Sequence, residues 1–286
     1  MKIRSKLANI VNQSLGAVGV HLVKCEYDLI SSGFTDSCQS IVTAKVQERI
    51  DSLLSDLKSI GINDRFNTPG RLADFHRDYL VSAVKNHGGG IQYNNAIVLF
   101  SIASALSPSL IIDSGTFRGF SAWVLRRACP GARISSFDVS LQNLRIREPS
   151  VNYVQSDWFS GGPDAEDWKN SLCFFDDHVD QVKRIEEAAT RGVRWAIFDD
   201  DTSVGATHQG HNSRSFPKVS FLYSDLESVE KLSWQNRGRQ HDLIIDHARL
   251  ASARLLVESY VRLPEISSIT GCSYQLPLTL VKLRGR

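Results

Sequence analysis

From residue 110 onward, short apolar runs alternate with longer stretches whose apolar residues recur every three or four positions. Leu110-Ile111-Ile112, Arg133 to Phe137, Asn152-Tyr153-Val154, Leu172 to Phe175 and Val193 to Phe198 have the length and apolar density of buried strands. Ser121 to Arg127 and Val179 to Thr190 have helical spacing, with Pro130-Gly131 and Gly192 as their stops. Such alternation predicts an α/β fold, a doubly wound parallel sheet with helices on both faces. Upstream, Ile41 to Ile60 reads as a helix ended by Gly61. A turn at Asn67-Thr68-Pro69-Gly70 leads to a second helix from Arg71 to Lys85, and Asn95 to Leu106 is a third. Downstream, Thr202 to Pro217 reads as a polar loop and His241 to Val261 as largely helical. Ile266 to Gly271 and Tyr274 to Leu283 read as paired last strands, one antiparallel.

At 286 residues the chain suits one large domain with an extension. We divide it into an N-terminal helical cap, 1–87, and an α/β domain, 88–286. A 42% apolar and 22% charged composition is that of an ordinary globular protein, and a net charge of +2 gives no case for nucleic acid. Five scattered cysteines without C-x-x-C spacing read as reduced core residues of a cytoplasmic protein, not as a zinc site. Without an 18-residue apolar run nothing spans a membrane. Asn9, Asn12, Gln13 and Ser14 interrupt what would be the apolar core of a signal peptide. Ile3, Leu7, Ile10, Val11 and Leu15 fall on one helical face beside Lys2, Arg4 and Lys6. That helix either packs on protein, as most do, including a second copy in a homodimer, or lets residues 1–25 rest on the inner membrane face.

The chemistry concentrates after the first strand. Asp113 ends it, Gly115 and Gly119 bracket a tight turn, and Ser121 opens the next helix. Asp138 stands at the end of the second strand, where an acid can accept both hydroxyls of a ribose. The third glycine of G-x-G-x-x-G is missing, which argues against a dinucleotide. The bland alternative is a strand-to-helix turn with no ligand. Two further strand ends, Asp176-Asp177-His178 and Asp199-Asp200-Asp201, carry five carboxylates and an imidazole. Ligands of such sheets bind at these ends. Carboxylates packed together repel, and a divalent cation resolves the repulsion. Oxygen donors favour Mg²⁺ or Ca²⁺ over zinc.

Asp113-Ser114-Gly115 and Gly119-Phe120-Ser121-Ala122 resemble the E-x-G-x-x-x-G-x-S-A motif of catechol-type O-methyltransferases. Gly88-Gly89-Gly90-Ile91-Gln92 and Ser107-Pro108-Ser109-Leu110 are similar to the approach to that motif, so the resemblance runs from about Gly88 to Asp201. It implies a class I methyltransferase fold, Rossmann-like with seven mostly parallel strands. It also implies S-adenosylmethionine (SAM) as cofactor, with Gly90, Asp113, Gly115, Gly119, Ser121, Asp138, Asp157 and Trp158 around it. The metal ligands it implies are Asp176 or Asp177 from the fourth strand and Asp199-Asp200, with Asp where the family has Asn; Mg²⁺ is the expected ion. The family's lysine three residues after the fourth-strand acid is absent, since Val179 or Asp180 stands there. His178 takes its place as general base, as in metal-dependent sugar O-methyltransferases, or else braces the site by hydrogen bonds; Asp176 is the catalytic acid beside it. Asp157 could instead cap a helix, and Trp158 could be core.

The sequence therefore points to a SAM-dependent, metal-assisted O-methyltransferase acting on a hydroxyl of a sugar, glycan precursor or secondary metabolite. Two alternatives stay open. One is a metal-dependent glycosyltransferase that uses Asp199-Asp200-Asp201 as a D-x-D motif. The other is a degenerate methyltransferase fold that only binds.

Overall fold

The computed structural model describes residues 36–62, 70–81, 90–163, 168–209, 213–236, 238–272 and 275–285. The amphipathic segment at residues 1–25, with its membrane and packing alternatives, lies outside them, as do Gly88, Gly89 and His211. No helix among the described residues is long and apolar enough to cross a membrane.

Among the described residues three helices come first. In α1 (Asp36–Leu57) Val46, Ile50, Leu53, Leu54 and Leu57 face inward at spacings of three and four. The chain leaves it through Gly61, whose φ of 90° is the left-handed conformation glycine adopts cheaply. Next are α2 (Arg71–Val81) and α3 (Tyr93–Leu106). The latter is buried on nearly every side, so its apolar residues run around the helix instead of along one stripe.

The α/β region follows as β1 (Leu110–Ser114), α4 (Phe120–Ala128), β2 (Arg133–Asp138), β3 (Val151–Gln155) and the single turn α5 (Trp158–Gly161). Then come β4 (Ser171–Phe175), α6 (Gln181–Arg191) and β5 (Trp195–Phe198). All five strands match the sequence expectation, and they pair in parallel in the order β3-β2-β1-β4-β5. Ile111, Ile134, Leu172, Phe174 and Ile197 face the core shared with α1 to α4, whereas Ile112, Phe137, Cys173, Phe175 and Phe198 face the opposite one. This is the two-residue period of strands buried on both faces.

The last third departs from expectation. His241 to Val261 is not largely helical. It holds β7 (Arg239–Ile244), which pairs with β6 (Lys231–Asn236) as a separate antiparallel hairpin, and then α7 (His247–Leu256) and β8 (Val257–Arg262). Ile266 to Gly271 is not a strand but the single turn α8 (Ser267–Thr270). The closing pair is β8 with β9 (Thr279–Leu283), and β9 runs antiparallel between β5 and β8. The hairpin escapes detection because its exposure alternates only weakly. Trp234 is its anchor, buried against Phe216 with ring centroids 5.1 Å apart. The stretch read as a polar loop is folded into 3-10 turns at Val204–Gln209 and Ser213–Ser215.

Candidate active site

A cleft of about 480 Å³ runs along the carboxyl ends of β1 to β5. That size suits a cofactor together with part of a second ligand. Gly90, Gly115, Asp138, Asp157, Asp176, Asp177, His178, Asp199 and Asp200 all line it. The strand tips gather them because parallel strands end in register: Phe137 lies opposite Ser114, and Ser114 opposite Phe175.

At one end, the Asp138 carboxylate accepts from the backbone N–H of Phe117 at 2.9 Å and of Ser140 at 3.0 Å. Each oxygen keeps a further lone pair. Beside it Val139 is 78% exposed and Phe117 37% exposed, two apolar side chains turned away from the core. A sequence reading centred on charged residues misses both, although an apolar residue just after a strand-tip acid was the available signal. Gly115 has a φ of 110°, and a Cβ there would collide with the Asp176 backbone carbonyl. It must therefore be glycine for the β1 and β4 tips to meet.

Four expected cofactor residues do not line the cleft. A Cβ on Gly119 would collide with the Ile146 carbonyl, so this glycine makes room for the chain's own loop and not for a ligand. Trp158 is fully buried among Phe175 and Trp168, unable to stack on anything that enters from solvent. Asp113 and Ser121 lie beneath the turn. The Asp113 carboxylate accepts from Ser136 Oγ at 2.6 Å and Ser121 Oγ at 3.1 Å and is wholly buried. Burial pushes its pKa up to about 7, against the two hydroxyl hydrogen bonds. Asp113 thus braces the turn.

A pH dependence follows. Folded Asp113 holds its proton up to about pH 7, whereas unfolded it ionises near the ordinary carboxylate value. The folded state therefore binds more protons between about pH 4 and 7, and stability falls as pH rises through that window. Asp113→Asn should make this fall shallower in urea unfolding compared at about pH 5 and pH 8. An unchanged slope would show that the folded carboxyl titrates normally.

Asp157 caps α5 by accepting from Phe159 N at 2.9 Å and also pairs with Arg184 Nη2 at 2.6 Å. Burial alone would raise its pKa, yet Arg184 holds it below the usual carboxylate range. The capping alternative is therefore present, while the residue still borders the cleft.

At the other end Asp176 and Asp177 have different surroundings. Asp177 Oδ2 accepts from Ser114 Oγ at 2.6 Å and Arg184 Nε at 2.9 Å, and Oδ1 accepts from Val179 N. Its carboxylate is engaged away from the cluster. Ligand atoms of Asp176, His178 and Asp200 instead lie within 4.8 Å of one another. His178 Nδ1 is 3.5 Å from Asp200 Oδ2, with its ring half exposed to the cleft. His178 and Asp200 both sit in left-handed backbone, φ 54° and 58°. Such strain in non-glycine residues is a feature of functional sites. Asp199 accepts from Asn95 Nδ2 at 2.9 Å and from Asp200 N at 3.0 Å. Burial, then the neighbouring carboxylates, push Asp176 well above the ordinary range and Asp199 to about 8. Asp201 is fully buried and accepts from Ser220 N, Thr279 Oγ1 and Tyr260 Oη. It closes the sheet and cannot serve as the second acid of a D-x-D motif.

The strand order β3-β2-β1-β4-β5-β9-β8, with only β9 reversed, surrounds a glycine turn after β1 and an acid at the β2 tip. The chain has the class I SAM-dependent methyltransferase fold. No family model matches the sequence. Among solved structures it is similar to an O-methyltransferase from Bacillus cereus in complex with SAH, at 12% identity and a TM-score of 0.41 over 81% of this chain and 97% of that one. It is also similar to the O-methyltransferase TomG from Streptomyces achromogenes, involved in tomaymycin synthesis and solved with SAM. There the identity is 16% and the TM-score 0.40, over 84% of this chain and 99% of that one. In this methyltransferase fold the hairpin β6-β7 is inserted between β5 and α7.

Proposed function

We propose that this chain is a SAM-dependent O-methyltransferase whose acceptor is a hydroxyl of a sugar, glycan precursor or secondary metabolite. The observation that carries the reading is one cleft with the strand-tip acid Asp138 at one end and the Asp176, His178 and Asp200 cluster at the other. Asp138 would accept from the ribose hydroxyls, with Val139 and Phe117 offering apolar surface to the adenine. SAM held there would supply its methyl group beside the β4 and β5 tips. There His178 takes the proton of the acceptor hydroxyl as it attacks. Asp200 orients the imidazole by accepting from Nδ1–H, so the other nitrogen is the acceptor of that proton.

The cluster also fits a divalent cation, because Asp176, His178 and Asp200 offer three donors within 4.8 Å. Asp176 and Asp200 would hold it, leaving His178 to the proton. When bound, such an ion lowers the pKa of a hydroxyl attached to it. Mg²⁺ suits the carboxylates.

Two measurements test this. Asp138→Ala should weaken SAM binding by about 1.5–3 kcal/mol, the scale of a lost hydrogen bond to a charged group. That is roughly ten- to a hundredfold by calorimetry, and undiminished affinity in the folded variant would remove the cofactor assignment. Methyl transfer to a panel of acceptors should stop in EDTA and return with Mg²⁺. Full turnover at metal content near zero would leave His178 as the activator without an ion.

A further inference from the structure

Lys218 is 1% exposed, a rare position for a lysine. It arrives from the segment after β5, far in sequence from the strand tips. Gln181, the first residue of α6, fastens that segment. Its Nε2 donates to the Asp199 carbonyl at 2.6 Å, its Oε1 accepts from Val219 N at 3.1 Å, and its own N–H donates to the Pro217 carbonyl at 3.0 Å. Ser220 N adds a bond to Asp201 Oδ1 at 2.8 Å. Held at both sides, Lys218 sends its side chain past the Phe216 ring, Nζ 5.3 Å from the centroid. It reaches a cavity of about 10 Å³ shared with Asp176, His178, Asp199 and Asp200. That volume is about one water molecule. Burial lowers the lysine's basicity, and Asp200, Asp201, Asp199 and Asp176, in that order, oppose the lowering.

We infer that the Lys218 ammonium is the built-in counter-charge of the strand-tip carboxylates and that it weakens their hold on a divalent cation. The second half rests on the cation site proposed above; the first does not. Asp199 and Asp200 place two adjacent carboxyl groups at the β5 tip beside Asp176. The buried lysine lining the same cavity supplies the opposing charge. Charges several ångströms apart interact strongly away from bulk water. Lys218 therefore offsets the negative charge that the apo cluster carries, and it repels a second cation that enters the same cluster. It touches neither cofactor nor acceptor and acts through the acids, as a positioning residue.

The test uses the full chain without SAM. Lys218→Met keeps the apolar stem and removes the charge. Urea unfolding in EDTA is compared for the wild type, Lys218→Met, Asp200→Asn and the double variant, and Mn²⁺ alone is titrated by calorimetry. Lys218→Met should lose stability, and adding Asp200→Asn should recover part of the loss, a coupling that unrelated structural damage would not produce. Lys218→Met should bind Mn²⁺ at least about tenfold more tightly than the wild type. Additive stability losses would overturn the counter-charge. Equal Mn²⁺ affinities in the wild type and Lys218→Met would overturn the effect on the cation. No Mn²⁺ binding by either, with coupling intact, would sink the cation site alone and leave the counter-charge standing. If Lys218→Met does not fold, a folded double variant supports the inference. An unfolded double variant beside a folded Asp200→Asn overturns it.

Discussion

Replacing His178 by Ala is expected to lower kcat on the order of 10²- to 10⁴-fold, the range for loss of a positioned acid–base group. SAM affinity should barely change, because Asp138 stands at the β2 tip, two strands from the β4 tip that carries His178. The half-exposed ring faces the cleft, and its Nδ1 is 3.5 Å from Asp200. That pairing supplies the orientation a lone histidine lacks. It also gives the test a second arm. Asp200→Asn keeps a side-chain oxygen for the proposed ion and leaves the base present, so it should lower kcat less than His178→Ala. Near wild-type kcat for His178→Ala across about pH 6–9 would remove it from the mechanism. Loss of SAM binding instead would mean that His178 braces the β4 tip.

The sheet was legible because β1, β4 and β5 are buried along nearly their whole length and so appear as short apolar runs with an acid at or just after the end. The cleft was legible for the same reason, since strand tips in register collect whatever ends each run. Legibility failed where a residue's role depends on what packs behind it. Gly115 and Gly119 look alike in sequence, but one faces the cleft and the other faces the Ile146 carbonyl. Trp158 follows a strand-tip acid as a ligand-stacking residue could, yet α5 turns it inward. Asp176 and Asp177 were ambiguous by spacing alone. Arg184, seven residues on, pairs with Asp177 and so gives the two acids different surroundings. Lys218 was invisible because no local pattern announces it. The chain carries it to the cluster through the Gln181 contacts, and only the folded packing brings it there.

Arg184→Met is expected to cost about 3–5 kcal/mol of stability, the scale for removing one partner of a buried ion pair. The guanidinium side chain is 2% exposed. Its Nη2 donates to Asp157 at 2.6 Å, its Nε to Asp177 at 2.9 Å and its Nη1 to Glu187 at 2.6 Å. One residue of α6 thereby ties the segment after β3 to the β4 tip. Methionine fills much of the space but leaves the Asp177 and Glu187 carboxylates, 14% and 9% exposed, without their cation. Arg249 is the internal comparison. It pairs with Asp180 and Glu186 just as closely, at 2.6 and 2.8 Å, but is 31% exposed. Asp180 is 19% and Glu186 36% exposed, more than Asp177 and Glu187, so Arg249→Met should cost less, about 1 kcal/mol. Urea unfolding of the two variants side by side separates burial from geometry, because the hydrogen-bond lengths match and the exposure does not. Equal losses would mean that burial adds nothing to the Arg184 network. A large loss for Arg184 alone would mean that the cleft floor is held by a charge cluster as unforgiving of single deletions as an apolar core.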